Sequence, residues 1–105
     1  QESDYLIMDE PTSNLDFGNR VRVLRRVRQL AEAGKGIIMT TRDPDHAFAV
    51  SSKVTVIKKG GEYLTGDTDE ILTCALMDEI YGIRTGVADT VAPDGRRVKT
   101  AVGYL

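Results

Sequence analysis

Asp9 and Glu10, two adjacent carboxylates, close the apolar run Tyr5-Leu6-Ile7-Met8 and are the residues best equipped for chemistry. A short continuous apolar run reads as a strand buried on both faces of a parallel sheet. The carboxyl ends of such strands are where open α/β sheets place their ligands. One carboxylate there can hold a magnesium ion, often through water. Its neighbour can orient or deprotonate an attacking water. Two vicinal acids alone also simply mark a strand end, so the information lies in the whole run Tyr-Leu-Ile-Met-Asp-Glu-Pro-Thr-Ser-Asn-Leu-Asp, residues 5–16.

The elements that must position these acids follow in order. Asp16 reads as a helix N-cap, and Phe17 to Ala33 as a helix stopped by Gly34. Phe17, Val21, Leu24, Val27 and Ala31 form an apolar stripe at steps of three and four. Arg20, Arg22, Arg25, Arg26 and Arg28 form the other face, read as solvated rather than as a phosphate-binding stripe. Ile37, Ile38 and Met39 make a second buried strand ending in Thr40-Thr41, which completes a βαβ unit. Asp43-Pro44 opens a helix running to about Val50. Lys53 to Lys58 and Glu62 to Thr65 read as a hairpin about a two-residue Gly60-Gly61 turn. Asp67 and Glu70 stand at capping-box spacing before a short helix with Leu76, Met77 and Ile80 inward. Two further strands, Val87 to Val91 and Val98 to Val102, flank the turn signal Pro93-Asp94-Gly95.

Composition removes several function classes. The 105 residues suit one small domain. Their 14 Lys plus Arg against 16 Asp plus Glu give a net charge of -2, without the basic excess of a nucleic-acid protein. The single cysteine, Cys74, excludes an internal disulfide framework and a cysteine-rich metal site, and fits a reduced, cytosolic setting as a small apolar filler. No apolar stretch approaches the ~20 residues that span a bilayer.

The run from Tyr5 to Asp16 closely resembles the Walker B motif and D-loop of ATP-binding-cassette (ABC) ATPases. In that family the next strand ends in a Thr-Thr-His-Asp or Ser-His-Asp switch, and here the same place reads Thr40-Thr41-Arg42-Asp43-Pro44-Asp45-His46-Ala47. The Asp-Pro-Asp-His-Ala continuation, the Gly60 to Gly66 hairpin and the Ile71-Leu72-Thr73 helix resemble the iron-siderophore and vitamin B12 (metal-chelate) importer branch. The resemblance is strong from Leu6 to about Thr73 and thinner from Cys74 to Leu105.

It implies a partial P-loop NTPase fold of the α/β class, a mostly parallel sheet with flanking helices and C-terminal β-hairpins. Residues 1–66 would hold Walker B, D-loop, switch and hairpin, and 67–105 a helical and hairpin extension. It implies Asp9 as the magnesium-side carboxylate, reached through water, and Glu10 as the base that polarises water. Ser13 and Asp16 would be nucleotide-side D-loop residues reaching across a dimer, with Arg42 in the switch. The implied cofactors are ATP and Mg2+. The implied partners are a second nucleotide-binding subunit and a membrane permease, with no nucleic acid and no membrane insertion. The implied location is cytoplasmic, on the inner face of the cell membrane.

Arg42 departs from the family's histidine. Arginine brings a permanent charge and five donors but no acceptor, so it can hold phosphate while positioning water less well. His46 does not replace it, because four helical residues rise about 6 Å; it reads as a partly exposed helix histidine. Gly61 to Thr68 has Walker A spacing, but Asp67 at the lysine position would repel phosphate, and the segment lies on a hairpin.

In the family, Walker A, the glutamine loop and the Leu-Ser-Gly-Gly-type signature all precede Walker B. None occurs in this sequence. The chain starts at Gln1, and Gln1-Glu2-Ser3 resembles the end of the helix after the signature. The expectation is therefore the last two fifths of a nucleotide-binding subunit, inactive alone. Two alternatives stand beside it, a non-catalytic α/β interaction module or remnant, and an ABC ATPase of DNA repair or translation.

Overall fold

The computed structural model describes residues 5–105; the helix end read at Gln1-Glu2-Ser3 lies outside them. The chain forms two compact units, the first ending at Asp43 and the second spanning Pro44–Leu105.

The first unit is the βαβ segment. Strand β1 (Tyr5–Asp9) pairs in parallel with β2 (Gly36–Thr40) in the register Leu6↔Ile37, Ile7↔Ile38, Met8↔Met39, Asp9↔Thr40. Helix α1 (Phe17–Glu32) connects them and packs on β2. Asp16 caps it by accepting the Asn19 N–H at 2.8 Å. Gly34, at φ +98°, ends it with the left-handed turn that a side chain would strain.

Burial in this unit departs from the sequence pattern. Strands alternate their side chains, and one helix covers one face of a two-stranded sheet. Ile37, Met8 and Met39 are half-buried, whereas Ile7 and Ile38, cross-strand partners on the other face, are 75% and 56% exposed. The strands expected to be buried on both faces are thus covered on one. The covered side of α1 is also rotated from the expected stripe. Val27 is buried and Val23, Leu24 and Leu30 are half-buried, while Phe17 is 73% exposed. Arg20 and Arg28, assigned to the solvated face, are half-buried; Arg20 lies one and two turns from Leu24 and Val27 on the same side. Its guanidinium sits 5.8 Å from the Phe17 ring centroid.

The second unit contains α2 (Pro44–Val50), β3 (Lys53–Ile57), β4 (Tyr63–Asp67), α3 (Thr68–Ile71), α4 (Cys74–Tyr81), β5 (Arg84–Val91) and β6 (Arg97–Tyr104). The β3–β4 and β5–β6 pairs are antiparallel, so parallel pairing among the described residues is confined to β1–β2. Short turns join each of those pairs, and only antiparallel neighbours can be joined so tightly. The first turn is one residue longer than the Gly60-Gly61 expectation. Lys58 donates to Glu62 O at 2.7 Å and Gly61 to Lys58 O at 3.2 Å, leaving Lys59, Gly60 and Gly61 as the loop. Gly60 and Gly61 both have φ near +90°.

Helix α3 corrects the capping-box reading: Asp67 makes no side-chain cap bond, because Lys53 Nζ holds its carboxylate at 2.7 Å. The single helix expected after Asp67 is broken at Leu72, and Thr73 caps α4 by accepting the Leu76 N–H at 3.2 Å. Leu72, Leu76 and Met77 form the core of this unit with Ala47 and His46. His46 was expected to be partly exposed and is 7% exposed. It lies on α2, a short helix packed against both β6 and α3, so little of its circumference reaches solvent.

Candidate functional site

Parallel pairing brings the carboxyl ends of β1 and β2 to the same level, and this placement builds the site. Asp9 and Thr40 are register partners, and the Thr40 hydroxyl donates to Asp9 Oδ1. Glu10 is the first residue past the strand. Its N–H donates to Thr40 O at 3.0 Å and to Thr40 Oγ1 at 3.1 Å. Those bonds hold Glu10 at φ +44°, a left-handed conformation that costs a non-glycine residue about 1–3 kcal/mol. Just past Thr40, the Asp43 N–H donates to Thr41 Oγ1 two residues back at 3.1 Å, shaping the turn that carries Arg42. Arg42 Nε then lies 3.7 Å from Glu10 Oε2.

Three of the sequence-predicted site residues, Asp9, Glu10 and Arg42, therefore stand together. Thr40 joins them and was missed as a site residue. A hydroxyl at the last position of the neighbouring strand was its only signal, and that became meaningful once the register was known. Ser13 and Asp16 lie on the loop from Glu10 to α1. The Ser13 N–H donates to Glu10 O at 3.0 Å, and Leu15 to Thr12 O at 3.2 Å. Thr12 is buried, whereas Ser13 and Asp16 are exposed. Asp16 is engaged at the start of α1 rather than with the carboxylate pair.

The cluster can contribute one carboxylate to a hard cation, a second to a water, and a guanidinium to an anion. Among the described residues no group of three or more His, Cys, Asp or Glu could hold a metal. A lone Asp9 carboxylate still fits magnesium, which keeps several waters and takes its remaining ligands from phosphate. No helix of the described residues is long and apolar enough to cross a membrane. The Walker A-like spacing at Gly61–Thr68 falls on a turn, β4 and the start of α3, with Asp67 bound to Lys53.

No family profile matches the chain. It is 36% identical over 81 residues to an uncharacterized ABC transporter ATP-binding protein of Haemophilus influenzae, covering 77% of this chain and 31% of that one. It is 32% identical over 91 residues to a hemin import ATP-binding protein of a Chelativorans species, covering 87% and 34%. A petrobactin import ATP-binding protein of Bacillus subtilis matches at 30% over 82 residues, covering 77% and 32%. The chain thus spans about a third of the length of these relatives. Its fold superposes with a TM-score of 0.85 on a solved structure described as a metal-chelate type ABC transporter in an inward-facing conformation. That match is at 23% identity, with 97% of this chain and 41% of that one covered. The architecture is that of part of an ABC ATPase, and sequence and fold together put this chain in the family of ABC transporter ATP-binding proteins.

Proposed function

We propose that the chain is the C-terminal part of the nucleotide-binding domain of an ABC importer ATPase, with a metal chelate such as hemin or an iron-siderophore as cargo. Residues 1–66 contribute Walker B, D-loop, switch and hairpin, and residues 67–105 the extension. The observation that carries the reading is the convergence of Asp9, Glu10, Thr40 and Arg42 at the carboxyl end of the parallel pair. In this reading Asp9 holds Mg2+ through water, with the Thr40 hydroxyl fixing its carboxylate. Glu10 orients and polarises the water that attacks ATP. Ser13 and Asp16 face the nucleotide of a second, dimer-related subunit, and the pair serves a membrane permease from the cytoplasmic side. Bound Mg2+ neutralises charge developing on the transferred phosphoryl group.

The test is magnesium-dependent phosphate release by the full-length subunit. Glu10→Gln is expected to abolish turnover while nucleotide binding persists. Undiminished turnover in that variant would refute the assignment of Glu10. The 105-residue chain alone, which has no glycine-rich loop with lysine, is expected to bind Mg-ATP too weakly for micromolar calorimetry. The repair or translation alternative would instead require salt-sensitive nucleic-acid binding lost on replacing Arg22, Arg25 and Arg26.

A further inference from the structure

We propose that Arg42 is a charge-exchange latch, its guanidinium paired with Glu10 when no nucleotide is bound and taken from Glu10 by the terminal phosphate of an incoming nucleotide. The inference rests on the ATPase reading above and adds to it a competition between the catalytic carboxylate and the substrate for one cation.

Hydrogen bonds of backbone N–H groups shape the segments that carry both partners. Glu10 is held at φ +44° by its two N–H contacts to Thr40, and Arg42 rides a turn closed by Asp43 N–H and Thr41 Oγ1. Their side chains meet at 3.7 Å, although the two residues are far apart in sequence. The Arg42 side chain is 88% exposed and that of Glu10 38%, so an anion approaching from solvent can reach the guanidinium. Chemistry narrows what it can do there. Arginine stays protonated and offers donors only, so its strong partners are anions. A phosphate accepts the planar fork in bidentate fashion, and charge-assisted bidentate pairs are stronger than a single contact. The Glu10 contact, by contrast, is one exposed ion pair, of a kind that contributes a factor of about 1.5 to 5. A phosphate held nearby therefore displaces it, and Glu10 becomes available to water only once the nucleotide is in place.

The first arm of the test uses this chain with inorganic phosphate as the probe, following the Arg42 Nε–H resonance. Glu10→Gln is expected to shift that resonance, and phosphate is expected to shift it at about two- to five-fold lower concentration in Glu10→Gln than in the wild type. A resonance indifferent to Glu10→Gln overturns the latch.

The second arm is a double-mutant cycle in the full-length subunit, reading the affinity for Mg2+ and a non-hydrolysable ATP analogue. Arg42→Ala is expected to weaken binding about two- to five-fold more in the Glu10→Gln background than in the wild type, because Glu10 no longer competes. Equal losses in both backgrounds overturn the latch and leave the ATPase reading intact. Absence of analogue binding by the wild-type subunit overturns the ATPase reading, with the first arm still deciding the pair.

Discussion

The Asp45 carboxylate accepts the backbone N–H of Ala101 at 2.7 Å, tying the first turn of α2 to the middle of β6. Its second oxygen accepts the Thr100 hydroxyl at 2.9 Å. The C-terminal hairpin is thereby fastened to the helix that follows the Thr41–Asp43 turn, within the second unit. Asp45 sits two residues after Asp43 in a segment first read only for its likeness to importers, and the contact gives it a structural role.

Asp45→Ala should therefore destabilise the second unit. It leaves a half-buried backbone N–H without its acceptor, which costs about 1–3 kcal/mol. Asp45→Asn keeps one carbonyl oxygen facing Ala101 and should lose less. Urea denaturation followed by circular dichroism measures both, and a loss under about 0.5 kcal/mol for Asp45→Ala would mean the contact is dispensable.

The Lys53–Asp67 pair makes a prediction about pH. The hydrogen bond from Lys53, and then its charge, lowers the Asp67 pKa below 3.8; the same bond raises that of Lys53 above 10.5. A depressed acid stabilises the fold above its unfolded pKa, and that contribution is lost as pH falls through the folded value. A raised base stabilises below its unfolded pKa and loses its contribution as pH rises through the folded value. The stability difference between wild type and Lys53→Met should accordingly be flat from about pH 5 to 9 and shrink on either side. Both side chains are exposed, so the difference should also fall with salt. A difference that persists at pH 2, or at molar salt, would contradict this.

On the proposed ATPase reading, replacing Arg42 with the histidine of the family's switch should speed ATP hydrolysis by the full-length protein. Arginine offers donors only, whereas a neutral imidazole has both an acceptor and a donor with which to place a water beside the bound phosphate. Arg42→His is expected to raise kcat about ten-fold, roughly 1.4 kcal/mol of barrier. Steady-state ATP hydrolysis decides it, and an unchanged kcat would show that arginine positions water as well as histidine.

Local signals carried most of the elements. The Asp16 cap, the Gly34 stop, the Pro44 start and the Pro93-Asp94-Gly95 turn all depend on neighbours within a few residues, and each falls where the structure places it. The misreadings involve partners far away in sequence. Asp67 prefers Lys53 across the hairpin to the N–H groups of α3, so Thr73 becomes the cap that matters. His46 is buried by elements that begin after residue 67. Within the candidate site, the Asp9-Glu10 pair was legible as chemistry, but its link to Thr40 and Arg42 required the strand register.

That same register sets up the final prediction, that the isolated chain self-associates through the open face of β1–β2. Tyr5, Ile7 and Ile38 are exposed together on that face, at 72%, 75% and 56%. The pair is also a two-stranded sheet with an unpaired edge on each side among the described residues. Apolar side chains beside unpaired backbone groups invite pairing with another chain. Ile38→Lys adds a charge at the centre of this face, where it desolvates poorly, and should shift the chain toward monomer in sedimentation velocity. Because the side chain is already more than half exposed, the folded monomer should change by no more than about 0.5 kcal/mol. Ile37→Lys, on the half-buried face toward α1, is the contrasting substitution: it should unfold the first unit rather than dissociate the chain. A wild-type chain that remains monomeric at high concentration would contradict the prediction, as would an Ile38→Lys chain that associates as strongly as the wild type.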